Sequence, residues 1–205
     1  MSQPSIVATD SIDGFFHDIV TGAIRSRKVE ATGEATTYLV GILTDFAAPG
    51  GKAGETMDRP LTFLLDEALH TAKPAERFER LRVLGDGVLY SSGFFADHFE
   101  ARGVHQKYLV GIGAAAYGAA SSMLLHGRTE GDAFPDVFGE LAENFDTFVD
   151  VVAEVANLTI AKGVASSKSL LALYERWLKT GSDSLATALT ERGLVPVRGG
   201  RGTLQ

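Results

Sequence analysis

The spacing of the apolar residues constrains this chain more than any other feature of its sequence. Apolar residues recur at intervals of three and four along nearly its whole length, and no convincing run alternates apolar and polar residues as a half-buried strand would. This spacing predicts an all-α fold, a single-domain bundle of about seven helices. We expect the domain to cover residues 1–194, with Gly193 as the C-cap of its last helix, followed by a flexible tail at residues 195–205.

The clearest helical pattern lies between residues 134 and 160. Its apolar residues follow a heptad spacing: Phe134, Phe138, Leu141, Phe145, Phe148, Val152 and Val155. Acidic residues fall on the opposite side of the same predicted helix: Asp136, Glu140, Glu143, Asp146, Asp150 and Glu154. The pattern therefore predicts one long helix with a buried face and a solvated ridge of carboxylates. Such a ridge could also dock a basic protein partner and steer its approach.

Residues 108–125 form a run without any charged side chain. The run is long enough for a membrane span, but its many Ala, Gly and Ser residues make insertion marginal, so no span is expected. Gly111, Gly113 and Ala116 match a dinucleotide-binding pattern, yet no strand pattern precedes or follows them. We interpret the run as a central helix whose small residues let another main chain approach closely.

The preceding helix, expected over residues 74–102, offers the partner for that close approach. Gly85, Ser92 and Gly93 lie in its middle, and such residues lower helix propensity. They indicate either a kink or an unusually close neighbour at this point. The expected result is a bundle with a closely packed small-residue helix at its centre.

Composition excludes several classes of function. Lys and Arg number 19 against 26 Asp and Glu, and the net charge of −7 disfavours a nucleic-acid partner. The absence of cysteine excludes thiol catalysis, disulfides and cysteine-ligated metals. The N-terminal residues have no basic and apolar pattern typical of a secretory signal, so a cytoplasmic location is expected.

No sequence motif indicates catalysis or a metal site, and no cofactor is expected on the main interpretation. One alternative rests on a resemblance: a His on the first helix and a glycine-rich later helix are loosely similar to the architecture of haem oxygenase. His17 and residues 111–118 would then bracket a haem or another flat apolar ligand. The pocket residues on the second side would be Gly111, Gly113, Ala115 and Gly118.

The main functional hypothesis is a non-catalytic interaction or regulatory protein that self-associates. It depends on the tightly packed pair of central helices and on the absence of a recognisable catalytic constellation. Candidate interface residues come from the acidic ridge and from an aromatic cluster near the C-terminus, because Tyr and Trp dominate binding hot spots. They are Asp136, Glu140, Glu143, Asp150, Tyr174 and Trp177.

Overall fold

The computed structural model describes residues 12–47, 59–126, 136–163 and 167–196. These ranges contain ten helices and no strand, which confirms the all-α class, with more helices than the seven expected. In chain order the helices are α1 (Ile12–Arg27), α2 (Gly33–Ala47), α3 (Leu61–Leu69), α4 (Pro74–Phe94), α5 (Ala96–Ala101), α6 (Gln106–His126), α7 (Val137–Glu143), α8 (Phe145–Gly163), α9 (Ser167–Thr180) and α10 (Asp183–Glu191).

The chain divides into two compact units, Met1–Val152 and Ala153–Gln205. The boundary falls inside α8, so the first unit contains α1 to α7 with the start of α8, and the second contains the rest of α8 with α9 and α10. We also expected an irregular, glycine-rich connection at residues 48–60, and most of it lies outside the described residues, as do Phe134 and the tail from residue 197 onward.

α4 and α6 pack extensively against each other. Each of the two helices has a glycine that admits an aromatic ring. A Cβ added to Gly85 of α4 would overlap the ring of Tyr117, and one added to Gly113 of α6 would overlap the ring of Phe145. The close packing predicted for this region is present. The groups that approach the glycines are side-chain rings, however, and not the second main chain that we expected.

The predicted helix over residues 74–102 is divided into two. α4 runs without interruption through its glycines and serines and ends at Phe95, whose φ of −120° and ψ of 27° leave the helical region. α5 begins immediately afterwards. Of the two alternatives for the glycine-rich middle, a kink or a close neighbour, the structure has the close neighbour, since the Tyr117 ring fills the space beside Gly85.

The predicted long helix over residues 134–160 is also divided, at Asn144, where φ is −115° and ψ is 30°. Asp136 caps the new helix α7 by accepting a hydrogen bond from the Gly139 amide at 2.9 Å. A Cβ at Gly139 would overlap that carboxylate, so a larger residue there would displace the Asp136 side chain. The described apolar seam stays buried on both sides of the break, and every member retains the predicted orientation: Phe138, Leu141, Phe145, Phe148, Val152 and Val155.

The second unit has its own small core, formed by Ala161, Leu173, Trp177, Leu185, Ala188 and Leu189. Glu154 of α8 is buried beside it at 2% exposure, and the Ser182 hydroxyl lies 3.1 and 3.0 Å from its two carboxylate oxygens. Glu154 therefore does not belong to the predicted solvated ridge. Gly193 has a φ of 81°, and the Leu194 amide donates to the Leu189 carbonyl at 3.0 Å, which confirms the predicted glycine cap.

Candidate functional site

A buried carboxylate lies where three helices of the first unit meet. Asp86 of α4 is 5% exposed. The Tyr38 hydroxyl of α2 and the Tyr117 hydroxyl of α6 each donate to its Oδ1 at 2.7 Å, and Arg82 Nη1 donates to its Oδ2 at 2.7 Å. Burial of a carboxylate requires such partners. We call Asp86, Tyr38, Tyr117 and Arg82 the Asp86 cluster.

Arg82 connects the Asp86 cluster to the protein surface. It lies one helical turn before Asp86, and its Nε and Nη2 donate to the exposed carboxylate of Glu79 at 3.0 and 2.6 Å. The guanidinium thus lies between two carboxylates on the same helix. Phe138 of α7 packs against both tyrosine rings, with ring centroids 5.2 Å from Tyr38 and 5.7 Å from Tyr117. These contacts fix the orientation of both hydroxyl groups toward Asp86.

Burial raises the pKa of Asp86 from 3.8 to about 6, although the hydrogen bonds from both tyrosines and the charge of Arg82 act in the opposite direction. Burial also raises the pKa of Tyr38 and of Tyr117, and the negative charge of Asp86 adds to the effect. Both phenols therefore remain protonated donors. Both phenols and one guanidinium nitrogen donate to the carboxylate, so the Asp86 cluster links α2, α4 and α6 inside the first unit.

Sequence reasoning did not identify Asp86 as a candidate. The available signal was the sequence Leu84-Gly85-Asp86-Gly87-Val88, an acid inside an apolar stretch that carries an Arg four residues before it. Such spacing places Arg82 and Asp86 on one side of a helix. The tyrosine partners lie 48 and 31 residues away along the chain, so only the tertiary structure shows them.

α6 has an inner and an outer face with different surroundings. The inner face is buried in the first unit and consists of Leu109, Ile112, Gly113, Ala116, Tyr117, Ala120 and Ser121. The outer face is exposed except for half-buried Gly118, and consists of Tyr108, Gly111, Ala115, Gly118, Ser122 and Leu125. The predicted packing row that begins with Gly111 and Ala115 thus faces outward, whereas Gly113 and Tyr117 make the contact with other helices.

The residues proposed for a haem pocket lie on different surfaces. The side chain of His17 on α1 is 63% exposed, with its Nδ1 3.7 Å from Asp18. Gly111 and Ala115 are exposed, and the ring of Phe145 occupies the space next to Gly113. Gly118 lies near Ala142 of α7, whose Cβ would be 3.8 Å from an added Cβ. The haem pocket remains a prediction.

Two of the acids proposed as interface residues make contacts within the first unit. Asp136 caps α7 and also accepts a hydrogen bond from Ser121 at 2.5 Å. Glu140 accepts hydrogen bonds from the backbone amide and the hydroxyl of Thr32, at 2.9 and 2.5 Å. Glu143 and Asp150 are exposed. Docking of a basic partner on this surface remains a prediction. Of the four acids, only Glu143 and Asp150 could contact such a partner without giving up one of these internal contacts.

Tyr174 and Trp177, the aromatic pair proposed as an interface anchor, belong to α9. Trp177 is 7% exposed within the core of the second unit, and the half-buried Tyr174 packs against it with a ring separation of 5.6 Å. The exposed side of the same helix carries Leu171 and Leu178 instead, at 61% and 44% exposure. An interface on α9 therefore stays a prediction, and these two leucines are the side chains most open to a partner.

Within the described ranges, no three His, Cys, Asp or Glu side chains are grouped so that they could hold a metal ion. α6 is long and apolar enough to cross a membrane by length and composition alone, with a mean hydropathy of 1.4, and the core helix of a soluble protein meets the same criterion. Compared with models of known families, with curated proteins and with solved structures, the chain matches none.

Proposed function

We propose that this protein is a non-catalytic helical interaction protein of the cytoplasm, and that it self-associates through the outer face of α6. The observation that carries the proposal is Gly111. It lies inside a long helix and is exposed, and an added Cβ would meet no atom within 4 Å. A glycine in a helix interior costs about 1 kcal/mol relative to alanine.

Gly111 and Gly113 of α6 differ in what compensates this cost. At Gly113 the Phe145 ring packs into the space that a side chain would occupy. At Gly111 no described part of the chain does so. A second helix that crosses over Gly111 and Ala115 would supply the missing contact, because small side chains let two helix axes approach nearer than the usual 8 to about 10 Å.

The order of residues along the outer face favours a second copy of this chain as the partner. Large side chains lie at both ends of the face, and small ones lie between them. Two copies related by a twofold axis near Ala116 and crossing antiparallel would pair Tyr108 with Leu125. The same axis would pair the small residues with one another, Gly111 with Ser122 and Ala115 with Gly118. Such an interface is self-complementary, as a twofold dimer requires.

The absence of charge on the outer face supports the same partner. None of its members carries a charged side chain, so two copies can meet without burying an unpaired charge. An apolar and uncharged face is also the composition that distinguishes the buried core of homodimer interfaces. At 1.5 Å per residue the face is about 25 Å long, enough for a helix-to-helix contact.

The mass of the protein in solution tests the proposal. Size-exclusion chromatography with light scattering should give about twice the chain mass, and Ala115→Leu should give a monomer because the larger side chain blocks the crossing point. The thermal stability of the monomer should change by less than about 0.5 kcal/mol, as for other exposed substitutions. Ala75→Leu, at an exposed position in the first turn of α4, is the matched control and should remain a dimer. A wild-type protein that is monomeric at every concentration would contradict the proposal.

The alternative function, a pocket for haem, is tested separately. Addition of haem to the purified protein should leave the Soret band of free haem unchanged if the interaction proposal is correct. A shifted Soret band that His17→Ala abolishes would instead establish the pocket. Because His17 is exposed, its replacement should leave the fold intact, and the two outcomes are readily separated.

A further inference from the structure

The Asp86 cluster is covered on one side by the short helix α7. The ring of Phe138 lies against both tyrosines of the cluster, with ring centroids 5.2 Å from Tyr38 and 5.7 Å from Tyr117. It also packs edge-on against Phe78 of α4, at 5.5 Å, and is 9% exposed. One aromatic side chain of α7 therefore forms the apolar cover next to a polar interior.

α7 is separate from its neighbours along the chain. It has seven residues, fewer than two full turns, and non-helical backbone angles at Asp136 and Asn144 bound it on both sides. A helix of this length depends on tertiary contacts for its stability. Only Phe138 and Leu141 of α7 are buried, whereas α4 has ten buried residues and α6 has seven. Because local opening is easiest where the fewest groups are buried, α7 is the helix of this packing that can open without the other two.

Two carboxylates anchor α7 to the rest of the first unit. Asp136 accepts a hydrogen bond from the Ser121 hydroxyl of α6, and Glu140 accepts two from Thr32, the residue before α2. The contact between Glu140 and Thr32 is exposed to solvent. Water can replace hydrogen bonds of this kind at small cost, so the anchors hold α7 closed without fixing it there.

Solvent already reaches the edge of this cover. An open groove of about 550 Å³ lies between the start of α2 and the start of α7, and its walls include Tyr38 and Val137. Tyr38 is half-buried, and its hydroxyl donates to Asp86. Water that enters along the groove when α7 opens would therefore reach the buried carboxylate.

Opening of α7 would relieve the unfavourable burial of the Asp86 charge. Burial raises the pKa of this carboxyl from 3.8 to about 6. The titratable and charged groups that face it are Tyr117, Tyr38, Arg82 and Glu79. Contact with water favours the ionised carboxylate, so the open form releases its proton at a lower pH than the closed form. Opening therefore becomes easier as the pH rises from about 4 to about 6.

We propose that α7 is a hinged cover that opens as a unit about Asn144 while α4 and α6 stay packed. The closed form buries the Asp86 cluster beneath Phe138, and the open form exposes it to solvent. The position of one short helix is thereby coupled to the charge of one carboxylate. This motion lies within a single chain and is separate from the proposed self-association.

Hydrogen exchange followed by mass spectrometry tests the opening in the intact protein. At pH 7 we expect the amides of α7 to exchange at least about tenfold faster than those at the centres of α4 and α6, after correction for intrinsic rates. Equal protection of the three helices would overturn the proposal, because α7 would then open only when the whole unit unfolds.

A pair of variants tests the anchor. Glu140→Ala should raise exchange in α7 about two- to tenfold, the usual effect of losing a hydrogen bond, and leave the centres of α4 and α6 unchanged. Glu143→Ala is the matched control, since it removes an exposed glutamate from the same helix and should have little effect. Equal increases in the two variants would contradict an anchor at Glu140.

The coupling to Asp86 is tested by pH. Asp86→Asn does not ionise but keeps an oxygen that can accept from the tyrosines. Between about pH 4 and about pH 7 the protection of α7 in the wild-type protein should fall relative to this variant, by up to about a hundredfold, as two pKa units allow. An unchanged ratio would show that α7 does not shield the carboxylate and would overturn the coupling. The mass of the protein in solution is a separate measurement, so none of these results decides the self-association.

Discussion

Gly113 and Gly111 lie two residues apart on α6, yet their surroundings have little in common. An added Cβ at Gly113 would overlap the Phe145 ring, whereas one at Gly111 would meet nothing within 4 Å. The inner face of the helix is completed by other parts of the first unit, and it includes Tyr117, which donates to buried Asp86. The outer face is exposed at Gly111 and Ala115, whereas Gly118 lies beside Ala142 of α7. Glycine makes room for another side chain of the same unit at Gly113, whereas Gly111 is the position that our proposal places against a second copy.

The largest expected effect concerns the Asp86 cluster, which depends on the inner face. Because the pKa of Asp86 is about 6 in the folded protein and 3.8 when unperturbed, its contribution to stability is complete below about pH 4 and declines as the pH rises through 6. A difference of about two pH units corresponds to about 3 kcal/mol. The free energy of unfolding, measured by urea denaturation between about pH 4 and about pH 7, should fall by most of that amount relative to Asp86→Asn.

The comparison with Asp86→Asn removes the contribution of all other titrating groups from this experiment. If the wild-type protein instead gains stability over the variant as the pH rises, the three donors outweigh burial and the pKa of Asp86 is lowered. That result would contradict the interpretation that burial has the largest effect on the pKa of Asp86 at the inner face.

A second prediction tests the packing on the inner face directly. Gly113→Ala should lower the free energy of unfolding by about 2 kcal/mol, since overpacking of a filled core costs about 1 to 3 kcal/mol. Phe145 is 1% exposed, so its ring lies among other buried groups that would have to move with it. Thermal and urea denaturation provide the measurement, and an additional Phe145→Leu substitution should restore part of the loss by making room for the new methyl group.

The matched substitution on the outer face should change the free energy of unfolding in the opposite direction. Gly111→Ala should raise the stability of the monomer by about 0.5 to 1 kcal/mol, because alanine is the better helix former and its methyl group meets no atom. The same substitution should weaken self-association if two helices cross at this point. Denaturation measured at low protein concentration and light scattering at high concentration separate the two effects. Destabilisation of the monomer by Gly111→Ala would remove the contrast between the faces.

Several features followed from the sequence because they depend on residues close together in the chain. The heptad seam predicted which side chains of α7 and α8 are buried, and Gly193 predicted a helix end, since both patterns reflect local helix geometry. The division at Asn144 was not predicted, because the apolar spacing continues across it and the cap depends on the contact between Asp136 and Gly139. Glu154 was misassigned to the solvated ridge for a related reason: its partner, Ser182, lies 28 residues away.

The amino-acid sequence by itself determined the helical class, the composition of each helix face and the exclusion of thiol chemistry, because spacing and residue type are sufficient for these. Only the tertiary structure decided which row of small residues on α6 is covered, since both rows have similar composition and differ only in what packs against them. It also decided that Asp86 accepts hydrogen bonds from three donors and that the Ser92 hydroxyl has no hydrogen-bond partner among the described residues. Such polar satisfaction depends on atoms brought together from distant parts of the chain, and no local pattern encodes it.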